Sequence, residues 1–238
     1  MIFYYIRHGD PIYAPDSLTP LGALQAEALA KRLARYGLDE IFVSSSNRAQ
    51  LTAAPTCRLL HKEMTILDWC NECYAWDDFA YTGEDGVASW VFHKQEAREF
   101  FVSDEVQSLG KKWYTHPAFA SRNFARGVSR VQSECDALLS SLGYEHDREK
   151  NIYTCVRENH SRVALFAHQG FGMIFLSSLL GIPYPQFCTR FDFGHSSMTA
   201  IEFSAEKGTT IPVVLQLGSD SHIYSEGLPT KYQNRIYI

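Results

Sequence analysis

Residues 2–6, Ile-Phe-Tyr-Tyr-Ile, run directly into Arg7-His8-Gly9, and this junction is the most informative stretch of the chain. A short apolar run rich in β-branched and aromatic residues predicts a buried strand. In open α/β sheets, ligands bind at the carboxyl ends of the strands. The junction therefore predicts the first strand of an α/β protein and a functional site that begins at Arg7 and His8.

The rest of the chain alternates between strand and helix patterns. Thr19 and Pro20 suit the N-cap and first turn of a helix that Gly37 ends. Hydroxyls of residues 44–46 are expected to cap the helix that carries Arg48. Further strands are predicted at 41–43, 65–67, 163–167, 198–203 and 211–217, and further helices at 122–142 and 171–180. This order predicts an α/β fold with a mostly parallel sheet and helices on both faces.

The length of 238 residues suits a single domain. Residues from about 70 to 120 break the regular pattern, because aromatic side chains crowd this stretch with interleaved Asp, Glu and Gly. We predict one domain over 1–238 that contains an inserted cap or lid segment at about 70–120. Residues 144–161 have the composition of a polar linker, and Lys207-Gly208 suggests a hairpin between the last two strands.

Composition bears on partners and compartment. The net charge is −5, from 22 Lys and Arg against 27 Asp and Glu, which argues against nucleic-acid binding. The first residues are a strand candidate without the basic start of a signal peptide, and the six cysteines are therefore expected to be reduced thiols in a cytoplasmic protein. The apolar stretch 163–180 contains polar residues and two Gly, so we expect a buried strand and helix and no membrane span.

Three predicted strand ends carry the polar residues of interest: Arg7-His8, residues 45–48 with Arg48, and His168. In a parallel sheet these ends share one edge. Two Arg and two His that converge form a site for a tetrahedral dianion, because a guanidinium can bind two phosphate oxygens at once. A neutral His can attack phosphorus and form a phospho-His intermediate, and the Arg side chains can neutralise the transferring group without a metal.

These motifs resemble the histidine phosphatase superfamily, which includes cofactor-dependent phosphoglycerate mutases. The resemblance covers roughly residues 1–60 and 160–203. It implies a phosphoglycerate mutase-like fold, with His8 as nucleophile and Arg7, Arg48 and His168 as the phosphate pocket. Gln169 joins this pocket at its rim, where the family commonly has Gly. The matching stretches are Arg7-His8-Gly9, Leu18-Thr19-x-x-Gly22-x-x-Gln25-Ala26, Ser44-Ser45 with Arg48-Ala49 and Thr52-Ala53, and Ala167-His168-Gln169-Gly170.

The family also uses a carboxylic acid, some two dozen residues after the second Arg, to protonate the leaving oxygen. Glu72 stands at that place and must be protonated when the ester is cleaved. Asp77, Asp78 and Glu84 are alternatives for this role. His195 could approach the pocket, but a hydrogen-bonded His outside the chemistry is the simpler interpretation.

We therefore predict a metal-independent phosphomonoesterase without a cofactor, acting on a small-molecule phosphate ester. Cys70 and Cys73 lack a second ligand pair at metal-binding spacing and are expected to be buried thiols. The mutases usually continue Arg-His-Gly with Glu-Ser-x-Trp-Asn and a longer loop, and Asp10-Pro11 here favours a phosphatase. A bisphosphoglycerate-dependent mutase, a phosphohistidine protein phosphatase and a non-catalytic phosphate-binding protein remain alternatives, and a homodimer stays open.

Overall fold

The computed structural model describes residues 1–83 and 85–230. The strands in these ranges are β1 (Ile2–Arg7), β2 (Pro11–Tyr13), β3 (Asp16–Leu18), β4 (Glu40–Ser44), β5 (Thr65–Leu67), β6 (Ala80–Thr82), β7 (Ala88–Trp90), β8 (Tyr144–Asp147), β9 (Ile152–Cys155), β10 (Arg162–Ala167), β11 (Met198–Glu202), β12 (Gly208–Thr210) and β13 (Val213–Ser219). The helices are α1 (Pro20–Ala34), α2 (Asn47–Leu60), α3 (Glu72–Phe79), α4 (Gln95–Phe101), α5 (Asp104–Gln107), α6 (Phe124–Ser141), α7 (Gln169–Leu180), α8 (Tyr184–Cys188) and α9 (Ser221–Ser225).

The central sheet has the strand order β13-β11-β1-β10-β4-β5. The pairs β1–β10, β10–β4 and β4–β5 are parallel, whereas β11 and β13 add an antiparallel edge. Strand β10 lies between β1 and β4, although it comes much later in the chain. The sheet order therefore brings the carboxyl ends of these three strands side by side.

Both faces of the sheet are covered by helices. Successive side chains of a strand point to opposite faces, and Phe3 and Tyr5 of β1 pack in the cluster that contains α6 and α7. Ile6 of β1 packs in the second cluster with Leu29 of α1 and Ala53 of α2. The predicted α/β fold, a mostly parallel sheet with helices on both faces, is confirmed.

The predicted insertion contains α3, the β6–β7 hairpin, α4, α5 and several 3₁₀ turns. Its aromatic side chains form much of their own core, where the Phe101 and Trp113 rings lie 5.5 Å apart and the Trp113 and Phe124 rings 5.1 Å apart. This packing continues into the core over the sheet through Tyr184. That the segment acts as a lid stays a prediction.

The predicted polar linker at 144–161 is wrong. Strands β8 and β9 form an antiparallel hairpin there, and β12 adds to it in the order β12-β9-β8. Tyr144 and Tyr153 bury their rings from this hairpin, while charged residues face outward. Polar composition concealed the strands because only alternate positions are buried.

The last two predicted strands, β11 and β13, are antiparallel neighbours as expected. The segment around Lys207-Gly208 is more than a turn between them, because Gly208 begins β12, which pairs with β9. Within the described ranges, the structure has no helix that is both long and apolar enough to span a membrane.

Candidate active site

The predicted strand ends meet at one edge of the sheet. Arg7 pairs in register with Ala167, and the amide of His8 extends this ladder by donating to the Ala167 carbonyl at 2.9 Å. A cavity of about 520 Å³ opens there. Its wall contains five of the six predicted site residues, namely Arg7, His8, Arg48, Glu72 and Gln169. The sixth, His168, lies fully buried behind them, with its ring centroid 5.2 Å from that of His8.

The imidazole of His8 is oriented by its own backbone turn. Nδ1 lies 2.7 Å from the Gly9 carbonyl oxygen, which can only accept, so Nδ1 carries the proton. Nε2 therefore keeps the lone pair. Burial, followed by His168 and Arg7, lowers the pKa of His8 well below its ordinary value. The ring is thus neutral and has a free nucleophilic nitrogen at neutral pH.

Glycines at positions 9 and 22 let two backbone segments approach closely. A Cβ on Gly9 would lie 2.7 Å from the Gly22 oxygen, and a Cβ on Gly22 would lie 2.2 Å from the Asp10 oxygen. The Gly9 amide also donates to Thr52 Oγ1 of α2 at 3.0 Å. Gly9, Gly22 and Thr52 of the sequence motifs thus let the turn after β1 pack tightly between α1 and α2.

Arg48 is held between an acid and the second histidine. Its Nη1 lies 2.8 Å from Asp16 Oδ1, and its Nη2 lies 3.1 Å from His168 Nδ1. Because a guanidinium can only donate, His168 Nδ1 accepts and its Nε2–H donates to Ser44 Oγ at 2.8 Å. Burial and the charges of Arg48 and Arg7 lower the pKa of His168 well below its ordinary value. This network favours a neutral His168 with a defined tautomer.

The predicted serine cap of α2 is wrong in its detail. Ser46 occupies the N-cap position but makes no capping hydrogen bond with its side chain, and its Oγ lies 3.2 Å from His168 Nε2. The cap comes from the β2–β3 hairpin, where Asp16 Oδ2 accepts from the Asn47 amide at 2.7 Å. The short connection after Gly9 therefore supplies a carboxylate that both caps α2 and holds Arg48.

Glu72 stands at the first position of α3, and its Oε2 lies 3.2 Å from His168 Nδ1. Its Oε1 accepts from the Phe171 amide at 3.1 Å, in the first turn of α7. The preceding Asn71 caps α3 and donates to Ser45 Oγ at 2.9 Å. This contact ties the start of α3 to the end of β4 and directs Glu72 at the histidines.

Arg7 is buried and is held from the opposite side of the cavity. It donates to the Phe193 carbonyl and, through Nη2, to His195 Nε2 at 2.8 Å. His195 Nδ1 in turn lies 3.4 Å from Asp10 Oδ1, and its ring lies 5.6 Å from that of His8. Burial lowers the pKa of Arg7 to about 10, which leaves it cationic at neutral pH. His195 does approach the site, where it orients Arg7.

The two arginines also retain donors for an anion. The Nε–H groups of Arg7 and Arg48 are buried and make no hydrogen bond within residues 1–83 and 85–230. Buried guanidinium groups normally satisfy their donors. Both guanidinium groups also line the cavity, where they can bind an anion through charge-assisted hydrogen bonds.

The comparisons with known proteins agree with the geometry of the candidate site. Residues 3–82 match the family model described as the histidine phosphatase superfamily (branch 1). The resemblance to the histidine phosphatase superfamily is confirmed. No curated protein matches the chain.

Solved structures of histidine phosphatases share the fold over nearly the whole chain. A mycobacterial glucosyl-3-phosphoglycerate phosphatase is 17% identical with a TM-score of 0.59, covering 92% of this chain and 98% of its own. A phosphoserine phosphatase from Entamoeba histolytica is 19% identical with a TM-score of 0.57, covering 93% and 98%. A putative alpha-ribazole-5'-P phosphatase from Escherichia coli is 19% identical with a TM-score of 0.58, covering 92% and 97%. At these identities the likeness shows the phosphoglycerate mutase-like fold.

The alternatives to Glu72 lie in different surroundings. Asp78 is buried on the other side of α3, where Arg126 and Arg130 bind its two oxygens at 2.7 and 3.0 Å. Asp77 lines the cavity but belongs to its outer wall. Glu84 lies outside the described residues. Glu72, in contrast, contacts His168 directly.

The expectation that both Cys70 and Cys73 are buried is wrong for one of them. Cys70 lies in the core, whereas Cys73 is exposed and lines the cavity. Within the part of the chain that the structure describes, no group of three or more His, Cys, Asp or Glu side chains is arranged to hold a metal ion.

Sequence reasoning missed Asp16 and Tyr13 as parts of the site, and it did not single out Trp76 and Trp90 among the aromatic residues of the insertion, a subset of which it allowed to line a pocket. Tyr13 and Asp16 come from the β2–β3 hairpin, and the Arg48 guanidinium lies 5.5 Å from the centre of the Tyr13 ring. The short spacing between Gly9 and Leu18 signals a tight hairpin, but its partner, α2, is known only from the fold. Trp76 follows Glu72 by four residues, so it shares a face of α3 with the acid, and this spacing was the available signal.

Proposed function

We propose that this protein is a metal-independent phosphomonoesterase that acts through a phosphohistidine at His8. The observation that carries the proposal is the tautomer of His8, whose Nδ1 is engaged with Gly9 while Nε2 retains its lone pair beside Arg7, Arg48 and His168. The family match and the phosphatases among the structural neighbours support this enzyme class.

In the first step, Nε2 of His8 attacks the phosphorus of the ester. The P–N bond forms while the bond from phosphorus to the alcohol oxygen breaks, and the electron pair leaves with that oxygen. Charge spreads over the equatorial oxygens, where the Arg7 and Arg48 guanidinium groups stabilise it. His168 adds orientation, since Arg48 and Glu72 both contact its Nδ1.

Glu72 is placed to supply the proton to the departing oxygen. Its contact with His168 Nδ1 is favourable only when a proton lies between the two atoms. The lowered pKa of His168 and the donation from Arg48 to the same nitrogen disfavour placing that proton on the imidazole. In the protonated form that a general acid requires, Glu72 shares the His168 Nδ1 acceptor with Arg48 in a three-centre hydrogen bond.

In the second step, water attacks the phosphohistidine. Glu72, now a carboxylate, takes a proton from this water, the P–N bond breaks, and inorganic phosphate and neutral His8 are released. Acid and base roles alternate on the same residue, as microscopic reversibility requires for a two-step transfer. The net reaction hydrolyses a phosphate monoester.

The β2–β3 hairpin favours hydrolysis over a mutase reaction. It fills the space after Gly9 with Asp16, which is bound to Arg48 and to the Asn47 amide. Residues 11–18 contain no Lys or Arg, so this hairpin adds no cation for a second phosphate group, which a bisphosphate-dependent mutase must hold and re-orient. A mutase therefore remains the alternative that the assay has to exclude.

The deciding experiment is a panel of phosphate esters, assayed with and without 2,3-bisphosphoglycerate and with excess chelator. We expect release of inorganic phosphate that depends on His8 and is unchanged by either addition. Conversion of 3-phosphoglycerate to its isomer only in the presence of the bisphosphate would establish the mutase instead. Loss of activity with chelator and recovery with added metal would overturn the proposed chemistry.

A further inference from the structure

Beyond the phosphate-binding groups, the cavity has a wall that the proposed chemistry does not use. We call it the aromatic wall, and it consists of Tyr13, Asn71, Cys73, Trp76, Asp77 and Trp90. It shares the cavity of about 520 Å³ with His8 and Glu72. The aromatic wall is therefore available to the alcohol part of a phosphate ester bound at His8.

The indole rings of Trp76 and Trp90 form its apolar part. Their centroids lie 5.1 Å apart, with the ring planes at 87°. Trp90 packs on the first turn of α7 so closely that a Cβ on Gly170 would lie 2.3 Å from its ring and 2.5 Å from Glu72 Oε1. Trp90 is thus fixed next to the proton donor, and Trp76 extends the aromatic surface outward.

The charge of the aromatic wall is negative. Asp77 follows Trp76 on α3, and within residues 1–83 and 85–230 no Lys, Arg or His lies within salt-bridge distance of its carboxylate. The nearby cations Arg126 and Arg130 are both bound to Asp78 on the other side of the helix. Among residues 1–83 and 85–230, Arg7 and Arg48 are the only Lys or Arg side chains in the cavity lining.

We propose that the aromatic wall is a subsite for a cationic alcohol part, of the alkylammonium class, and that it discriminates against alcohols that carry a carboxylate. Indole faces attract ammonium groups through the ring quadrupole. An unpaired carboxylate adds attraction for a cation and repulsion for an anion. This inference rests on the proposed function, because it concerns the leaving group of the same reaction.

Three esters test the inference. Phosphocholine carries the cation, 3,3-dimethylbutyl phosphate replaces its nitrogen by carbon with almost the same shape, and 3-phosphoglycerate carries a carboxylate. We expect kcat/KM for phosphocholine to exceed that for the neutral ester by about tenfold, the size of an exposed cation–π contact combined with one charge. We expect 3-phosphoglycerate to be the poorest substrate. Equal values for the cationic and neutral esters would overturn the inference.

Variants of the aromatic wall test which of its residues cause the preference for phosphocholine over the neutral ester. Asp77→Asn should reduce the ratio of phosphocholine to neutral ester, and Asp77→Lys should invert the order in favour of 3-phosphoglycerate. Trp76→Leu keeps an apolar side chain but removes the indole face. It should therefore lower kcat/KM for phosphocholine two- to fivefold more than kcat/KM for the neutral ester. The matched control is Glu63→Lys, since Glu63 is exposed beyond the end of α2 opposite Arg48, about 20 Å away along the helix. Its ratios should equal those of the wild type.

Binding separates this inference from the proposed function. Calorimetry with His8→Ala compares phosphocholine and 3,3-dimethylbutyl phosphate without turnover, and the same preference is expected. In one outcome, the wild type hydrolyses 4-nitrophenyl phosphate with phosphate trapped on His8, while phosphocholine and 3,3-dimethylbutyl phosphate bind equally to His8→Ala. That result refutes only the subsite. If the wild type hydrolyses no ester, the proposed function fails, while the binding comparison still decides whether the wall selects cations.

Discussion

Arg48 joins Asp16 to His168, with its Nη1 2.8 Å from the Asp16 carboxylate and its Nη2 3.1 Å from His168 Nδ1. The hairpin after β1, the start of α2 and the end of β10 are thereby linked through one guanidinium. This geometry sets both the direction of the Arg48 fork and the tautomer of His168. The charge that Arg48 presents to a phosphate and the orientation of His168 therefore depend on the same set of contacts.

Asp16 can be tested separately as a cap and as a partner of Arg48. Asp16→Asn keeps an oxygen for the Asn47 amide but removes the charge, so stability should be retained while kcat/KM falls. Asp16→Ala removes both, and we expect about tenfold lower kcat/KM together with a loss of about 0.5–2 kcal/mol in the free energy of unfolding. Thermal unfolding and steady-state kinetics check this. Unchanged kinetics in both variants would show that Arg48 needs no support from the hairpin.

His8→Ala should abolish turnover without unfolding the protein, because it removes the nucleophile and leaves the Gly9–Thr52 contact intact. Rapid quenching with a labelled ester should trap acid-labile phosphate on the wild type and none on the variant. His160→Ala is the matched control, since His160 is exposed and contacts Glu158. Equal labelling of the wild type and His8→Ala would refute the assignment of the nucleophile.

Glu72→Gln should distinguish substrates by the basicity of their leaving oxygens. Alkyl phosphates need protonation of the departing oxygen, so the variant should lose about 10²–10⁴-fold on them. With an aryl phosphate such as 4-nitrophenyl phosphate, the rate of single-turnover phosphorylation of the enzyme should fall much less. A uniform loss on both would indicate a binding or structural role for Glu72. No loss on either would transfer the acid role to Asp77, and the comparison would be repeated there.

The pH dependence of kcat/KM should report the neutral state of His8. Burial and the neighbouring His168 and Arg7 lower the pKa of His8, so the ring stays unprotonated as the pH falls through the ordinary histidine value of about 6.5. Activity should be lost only at lower pH, as His8 takes up its proton. An aryl phosphate is the suitable substrate, after the titration of its own phosphate group has been measured and removed. An acid limb centred at or above 6.5 would contradict this prediction.

His195 is expected to act as a positioning residue for Arg7. His195→Ala should lower kcat/KM by several-fold to about tenfold and raise the inhibition constant of inorganic phosphate in proportion, because the Arg7 guanidinium loses its partner at Nη2. His195→Gln offers an acceptor at a similar reach and should restore part of the affinity. A fall in kcat with unchanged phosphate inhibition would place His195 in the chemistry itself.

Much of the site could be predicted from local sequence. Arg7, His8 and His168 follow short apolar runs that are typical of buried strands, and parallel strands bring such ends to one edge. Gly9 and Gly22 were also part of the motifs, although their physical reason is a close backbone approach in which an added Cβ would lie only 2.2–2.7 Å from a backbone oxygen. Strand, turn and helix signals over a few residues carried this information because they arise from local backbone and burial preferences.

The three-dimensional partners could not be predicted in the same way. Nothing near Asp16 in the chain indicates that it caps α2, and nothing near His195 indicates that it contacts Arg7. The hairpin β8–β9 resembled a linker because its buried Tyr144 and Tyr153 alternate with polar residues.

Local sequence patterns were sufficient to predict the strand ends, the candidate phosphate-binding residues and the α/β class. The tautomers of the histidines, the support of Arg48 and Arg7, and the aromatic wall beside Glu72 depend on the tertiary structure. Hydrogen-bond direction and charge pairing depend on distances between residues far apart in the chain, and those distances exist only once the sheet order has placed β10 between β1 and β4.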